Sequence, residues 1–161
     1  MNDSNTFLVE TLRSLTSVPS LSGWTEQIVC LTLKLLQSWG FEPELNRRGG
    51  IKLKLLGKDA SRARALTAHL DKLGAMVLHL KNNGRCALAP VGTWSSRFAE
   101  GARVTLHTDE HEYRGTILPL LVLGHTYNEK VDQQPVNWEQ VELRIDEYCN
   151  SFQELEKLVW L

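Results

Sequence analysis

The apolar repeat of this chain changes character at Gly74, and that change limits what the chain can fold into. Before Gly74, apolar residues recur at helical spacing, first Phe7, Leu8, Leu12 and Leu15, then Ile28, Leu31, Leu35 and Trp39. After it, short stretches alternate with a period of two: "GAMVLHLK", "RCALAPV", "ARVTLHT", "EYRGTIL" and "EQVELRID". In the last of these Val141, Leu143 and Ile145 oppose Glu142, Arg144 and Asp146. Punctuation agrees with the division. Ser4 and Asn5 can cap a first helix, "SVPSLSG" breaks the chain, and Gly40 stops a second helix spanning Trp24 to Trp39. Asn82-Asn83-Gly84 and Asp109–His111 read as hairpin turns, and Ser151 with Glu154 forms a capping box for a last helix.

Between the second helix and Gly74 two further strands are predicted. "IKLKLL" sets Ile51, Leu53 and Leu55 against Lys52 and Lys54, one buried face and one wet face. "ARALTAH", residues 63–69, is small and apolar on both faces, as in an interior strand of a covered sheet. Helix, helix and strands make the opening of an α/β or α+β layer, and the short strands after Gly74 read as a small β-barrel or sandwich.

The 161 residues suffice for one domain with a full core or two small ones. Net charge is −1, from 18 Lys and Arg against 19 Asp and Glu, with no basic run, so no nucleic-acid partner is expected. The first residues, Met-Asn-Asp-Ser-Asn, carry neither a basic nor an apolar signal region. The longest apolar run, Ile117 to Leu123, contains Pro119 and is too short to span a bilayer, so no membrane partner is expected either. Cys30, Cys86 and Cys149 are odd in number and widely spaced, which suits free thiols in the cytoplasm.

His69 falls at the carboxyl end of the predicted interior strand, the edge where open α/β sheets bind ligands. Asp71 follows two residues on, so in a continuing strand both side chains face one way. A metal-bound imidazole uses one nitrogen for the ion and gives its other N–H to a carboxylate. His-x-Asp supplies both groups. Spacing alone leaves open the plainer reading, a core histidine beside a surface aspartate.

The stretch "LTAHLDKLGAMVLHLKNNGRCALAPVGTW" resembles the co-catalytic metalloaminopeptidases that assemble as tetrahedral dodecamers, of the glutamyl and deblocking aminopeptidase type. Ala-His-x-Asp ending a strand, a glycine three residues on, Val91-Gly92-Thr93-Trp94, Arg103-Val104 and Gly115-Thr116-Ile117 carry the resemblance. "LTAHLD" and "VELRIDE" place it nearest a branch encoded with osmoprotectant synthesis genes, and Ser20–Gly23 matches the family's Ser-rich turn. The resemblance implies a partial α/β aminopeptidase-like (phosphorylase/hydrolase-like) domain over 1–72. An inserted all-β barrel that dimerises follows over 73–149, and a terminal helix over 150–161 leads back to the catalytic half. It implies His69 as a metal ligand, Asp71 as the catalytic carboxylate that orients it, and His125 near the site in a barrel loop. Two zinc or cobalt ions would activate water to remove N-terminal residues from peptides. Two departures stand out: Lys72 where the family often has an acidic residue, which puts a positive charge beside the site, and Thr93 in place of a glycine.

A two-metal site also needs a bridging carboxylate and a Glu pair, which the family carries after the barrel; this chain has neither Glu-Glu nor Asp-Asp. The ending Val159-Trp160-Leu161 replaces the family's usual return to the catalytic core and is read as a truncation. The chain alone is therefore expected to be inactive and to hold no stable metal. Its alternative behaviour is that of a non-catalytic self-association module with a vestigial ligand strand. Leu158 to Leu161 are expected to lack the domain on which they would pack. His107 and His111 in "HTDEHE" lack zinc-site spacing, His79 reads as structural, and "HEYRG" is not a zincin motif.

Overall fold

The computed structural model describes residues 3–59 and 61–160, without the side chains of Asp3 and Trp160. The chain divides into two compact units, Met1–Lys72 and Leu73–Leu161.

The first unit opens with α1 (Asp3–Ser17) and α2 (Glu26–Ser38). The helical repeat of the sequence becomes a contact where the Phe7 and Trp39 rings meet at 5.2 Å. Ile28, 1% exposed, is buried on α2. Gly40 ends α2 in a left-handed conformation, φ +83°. Its N–H donates to the Gln37 carbonyl at 2.9 Å and the Phe41 N–H to the Leu36 carbonyl at 3.0 Å, the paired bonds of a Schellman cap. A two-residue antiparallel ribbon follows, β1 (Glu44–Leu45) with β2 (Ile51–Lys52). The Asn46 side chain closes its turn by accepting the N–H groups of Arg48 and Gly50 at 2.8 and 2.9 Å.

Two strand expectations differ from the structure here. The alternation of "IKLKLL" yields a ladder only at Ile51–Lys52. Residues 63–69 form no ladder at all, and among the described residues no strand lies beside them. Leu55, Leu56 and Leu66 stand exposed, Leu66 fully. The physical reason is that alternation reports which face a side chain would take, whereas a strand exists only when a neighbour accepts its backbone hydrogen bonds.

The second unit holds the core. Its five-stranded antiparallel sheet runs β3 (Gly74–Leu80), β4 (Cys86–Val91), β7 (Val141–Ile145), β6 (Glu112–Pro119), β5 (Arg103–His107) in that spatial order. Strands β4 to β7 make a Greek-key order, with the β5–β6–β7 meander returning to lie beside β4. Among the described residues β3 and β5 are the edges of this ladder. Between β6 and β7 lie a short helix, α3 (Gly124–Tyr127), and two 3-10 turns, Asn128–Lys130 and Trp138–Gln140.

One face of the sheet gathers Cys86, Leu88, Ile117, Val141, Leu143 and Ile145, and α4 (Phe152–Trp160) adds Leu155 at 0% exposure. The six large aliphatic side chains in this set stabilise by about 1.5–3 kcal/mol each when buried. In the first unit only Ile28 is comparably buried among the described residues, so the two units differ greatly in apolar stabilisation. Trp94 and Trp138 close one side of the core edge to face, centroids 4.8 Å apart, and the Trp94 indole N–H donates to the Gly74 carbonyl at 2.9 Å.

The capping box expected at Ser151 is present in altered form. The Ser151 hydroxyl accepts the Glu154 N–H at 3.3 Å, but the Glu154 carboxylate reaches back to the N–H of Asn150 at 2.8 Å. The tail expectation is corrected in part. Leu158 and Val159 pack against the sheet core, and the Tyr113 hydroxyl donates to the Leu158 carbonyl at 2.8 Å. The chain covers these residues itself because α4 is amphipathic and lies beside the sheet's apolar face. The Trp160 side chain and Leu161 fall outside the described residues.

Glu142 alternates onto the opposite face from Val141 and Leu143, as its period requires, yet it is only 2% exposed. Lys81 and Arg85, which flank the β3–β4 turn, both ion-pair with its carboxylate, and Asn83 donates at 3.4 Å. Burial pushes the Glu142 carboxyl up, but hydrogen bonds from Lys81 and Arg85 and the Lys81 charge outweigh it and leave the group below the ordinary glutamate value. Gly115 is also fixed by its surroundings. A Cβ there would meet the Arg144 carbonyl oxygen at 2.7 Å and a Leu143 methyl at 2.8 Å.

Two outcomes are expected in urea unfolding followed by circular dichroism. Glu142→Gln lowers stability at neutral pH by about 1–3 kcal/mol, because two cations lose their charged partner. A carboxylate held below its ordinary value contributes stability that is present above about pH 4.3 and is lost as pH falls through its lowered native value. The gap between wild type and variant therefore narrows in acid; a gap independent of pH contradicts the account. Gly115→Ala is expected to cost about 1–3 kcal/mol by overpacking β6 against β7; a neutral effect contradicts that contact.

Candidate metal-ligand site

His69 and Asp71 lie in the first unit, in a segment that is neither helix nor ladder. A loop from the break between α1 and α2 holds them. The Ser20 hydroxyl, on a residue 1% exposed, donates to the Leu70 carbonyl at 2.9 Å, and the Lys72 N–H donates to the Ser20 carbonyl at 2.7 Å. Leu21 and Lys72 form a single parallel bridge. The Pro-Ser-Leu-Ser-Gly stretch that ends the helical pattern in sequence is thus the strap that seats the His-x-Asp segment.

Lys72 adds a second tie. Its ammonium donates to the carbonyls of Thr16 and Val18, at 2.5 and 2.7 Å, at the C-terminal end of α1. Those carbonyls lack helical partners and carry the negative end of the helix dipole, a favourable place for a cation. The positive charge that the sequence placed beside the site is therefore engaged with α1.

Within the strap, His69 Nδ1 lies 3.1 Å from the Asp71 backbone carbonyl and 3.1 Å from Asp71 Oδ1. Both partners are acceptors only, so Nδ1 carries a proton, and in the neutral ring Nε2 keeps its lone pair. That is the tautomer a metal-bound imidazole needs when a carboxylate supports its other nitrogen. The second oxygen, Asp71 Oδ2, accepts the Ser22 hydroxyl at 2.5 Å. This hydrogen bond holds the Asp71 carboxyl below the usual aspartate range; burial opposes it, and the residue's own backbone N–H and His69 add smaller contributions in the same downward direction.

The pair fits one ligand position of a metal centre. His69 is well exposed, its side chain at 84%, and no group of three or more His, Cys, Asp or Glu among the described residues is placed to hold an ion. The structure brings His69 and Asp71 together; His125 lies in α3 of the second unit. His107 Nδ1 pairs with Glu112 Oε1 at 3.0 Å across the β5–β6 hairpin, and the His111 ring meets Tyr113 at 6.2 Å, which ties both histidines to that hairpin. Ser20 and Ser22 were singled out in sequence only as part of a Ser-rich turn, not as residues of the site. Their signal was a serine-rich break, which marks a loop and does not reveal what the hydroxyls reach some fifty residues away.

Comparison with known proteins gives the family. The model of the M42 glutamyl aminopeptidases matches residues 49–160. YhfE of Bacillus subtilis (strain 168), named as an aminopeptidase, is 34% identical over 151 residues, covering 93% of this chain and 43% of YhfE. The TET aminopeptidase of the marine sediment archaeon Thaumarchaeota archaeon SCGC AB-539-E09 has a TM-score of 0.78 at 20% identity, over 96% of this chain and 42% of that one. The Pyrococcus horikoshii TET1 peptidase, described as assembling into a tetrahedron or a large octahedral shell, has a TM-score of 0.70 at 19% identity, over 94% and 43%. The chain thus spans less than half the length of the relatives it matches, and by the family match over most of its length it belongs to the M42 glutamyl aminopeptidase family.

Proposed function

We propose that this chain contributes the first metal-ligand segment of a metal-dependent aminopeptidase whose remaining site residues lie outside these 161 positions. The observation that carries the reading is the His69–Asp71 pair, with Nδ1 engaged and Nε2 presented, in a chain of the M42 family. His69 would hold one ion of a zinc or cobalt pair, and Asp71 would act on the substrate through His69 by fixing its ring. When bound, such a pair supplies Lewis acidity and a water of lowered pKa for attack on the peptide carbonyl after the N-terminal residue. What these residues do by themselves is narrower. Asp71 retains the Nδ1 proton, the ring keeps Nε2 outward, and the strap at Ser20–Ser22 sets the height of both.

Residues 63–69, exposed and in no ladder among the described residues, keep the small apolar composition of an interior strand, which supports the same reading. Residues 1–72 are read as the partial catalytic domain, 73–149 as the inserted barrel domain, 150–161 as the helix that follows it, and His125 as a residue near the completed site. Peptides are the proposed substrates, in the cytoplasm; no described helix is long and apolar enough to cross a membrane. Self-association through the second unit is supported by the two open edges, β3 and β5, and by the shell described for the P. horikoshii peptidase. The non-catalytic module is the weaker reading, because the relatives it matches carry aminopeptidase names.

Two experiments test this reading. On a panel of aminoacyl-p-nitroanilides with zinc, cobalt or manganese, the 161-residue chain is expected to show no turnover. A chimera carrying the remaining segment of YhfE after Leu161 is expected to be active, and His69→Ala in it to lower activity by at least about 100-fold. Metal-dependent turnover by the short chain that survives repurification and disappears in His69→Ala overturns the division of the site. Light scattering after size exclusion is expected to give a mass above the 18.3 kDa of one chain; a monomer at high concentration removes the self-association reading.

A further inference from the structure

We propose that Ser22 is a positioning residue for the His69–Asp71 pair: its hydroxyl holds the Asp71 carboxylate in the one orientation that keeps the His69 Nδ1–H engaged and the Nε2 lone pair outward. The proposal rests on the reading of His69 as a metal ligand.

The two oxygens of the Asp71 carboxylate have different partners. Oδ1 meets His69 Nδ1 at 3.1 Å, and Oδ2 accepts the Ser22 hydroxyl at 2.5 Å. Asp71 is partly exposed, its side chain at 41%. An aspartate in such a place otherwise samples staggered χ1 wells and a broad, two-fold χ2. The local anchor, His69, holds one oxygen only. The second anchor comes from 49 residues upstream.

That anchor is itself fixed. Ser22 follows Leu21, which bridges Lys72, and Ser20, which exchanges hydrogen bonds with Leu70 and Lys72. The strap therefore sets the position of the Ser22 Oγ before Asp71 meets it. Ser22 is exposed, and its hydroxyl hydrogen bond goes to Asp71. Its contribution is accordingly directed at the carboxylate and not at packing, unlike that of the buried Ser20.

The imidazole shows why orientation matters. Its Nδ1–H is shared between the Asp71 carbonyl and Oδ1, both at 3.1 Å. The carbonyl is neutral and belongs to the backbone; the carboxylate is the charged and stronger acceptor, but only when Oδ1 faces the ring. Supporting partners of this kind change metal affinity by about 10–100-fold. Ser22 stands one bond further out and governs whether that support is delivered.

The test reads the ring and not the reaction. Long-range proton–nitrogen correlation spectra of the 161-residue chain at about pH 8.5, where a histidine is neutral, report the tautomer of His69, assigned by its loss in His69→Gln. Wild type is expected to be mainly protonated on Nδ1. Ser22→Ala is expected to lower the Nδ1–H to Nε2–H ratio by about 3–10-fold, the effect of one hydrogen bond. Ser22→Thr keeps the hydroxyl and is expected to restore the ratio. Ser22→Cys, near-isosteric with a weak donor, is expected to fall between, and decides the matter if the alanine variant loses the Lys72 amide signal that marks an intact strap. An unchanged ratio in the cysteine and alanine variants overturns the role of Ser22 and leaves the reading of His69 standing. A wild-type ring protonated mainly on Nε2 overturns the reading of His69 itself.

Discussion

Two hydrogen bonds at Ser20 decide where the candidate site sits. Its hydroxyl reaches the Leu70 carbonyl and its own carbonyl takes the Lys72 N–H, so residues 70 and 72 are held on either side of Asp71. Everything chemical in the first unit follows from that clasp. The His69 ring can bridge to Asp71 because the backbone between them is held, and the Asp71 carboxylate can meet Ser22 because Leu21 lies against Lys72. The Lys72 ammonium fastens the same segment to the carbonyl end of α1. A short strap thus does for this pair what flanking strands do in a covered sheet.

The second unit is stabilised by different means. Its apolar face is continuous from β3 to β6 and is closed by Leu155, Leu158 and Val159 of α4. On the reverse face the buried Glu142 is neutralised by Lys81 and Arg85, whose positions at the two ends of the β3–β4 turn bring both cations over one carboxylate. A buried ion pair of this kind adds little net stability compared with an apolar replacement, yet removing one partner is costly. Its effect is to fix the β3–β4 turn to β7, two strands that meet only through residues distant in sequence.

The two units differ in how much apolar surface they bury. The second buries a continuous core, although Met76, Leu78, Phe98, Leu123 and Tyr148 stay exposed. The first leaves Phe7, Leu8, Leu12 and the leucines near its single-stranded segment open. Family membership and a match to less than half of each relative's length give this asymmetry its meaning. The family match runs across both units, over residues 49–160, so the asymmetry lies within the M42 part of the chain.

Much of the architecture was legible in the residues alone, wherever a local rule was sufficient. Helical spacing with Gly40 as a stop, period-two alternation after Gly74, and the turn at Asn82–Gly84 depend on neighbours a few positions apart, and the structure has elements at those places. The family was legible too, because Ala-His-x-Asp and the turn at Val91–Trp94 are contiguous strings. What the residues did not disclose depends on distant partners. Residues 63–69 have the composition of an interior strand, but only tertiary neighbours turn composition into a ladder, and none lies beside them among the described residues. Glu142 read as the wet side of a strand until the turn residues Lys81 and Arg85 closed over it. Ser22 was one serine in a loop until the fold brought Asp71 within hydrogen-bonding distance of its hydroxyl. Sequence by itself determined which groups are available and the period on which they recur; tertiary structure alone decided which of them meet, because hydrogen bonds and ion pairs act across a few ångströms of space and take no account of separation along the chain.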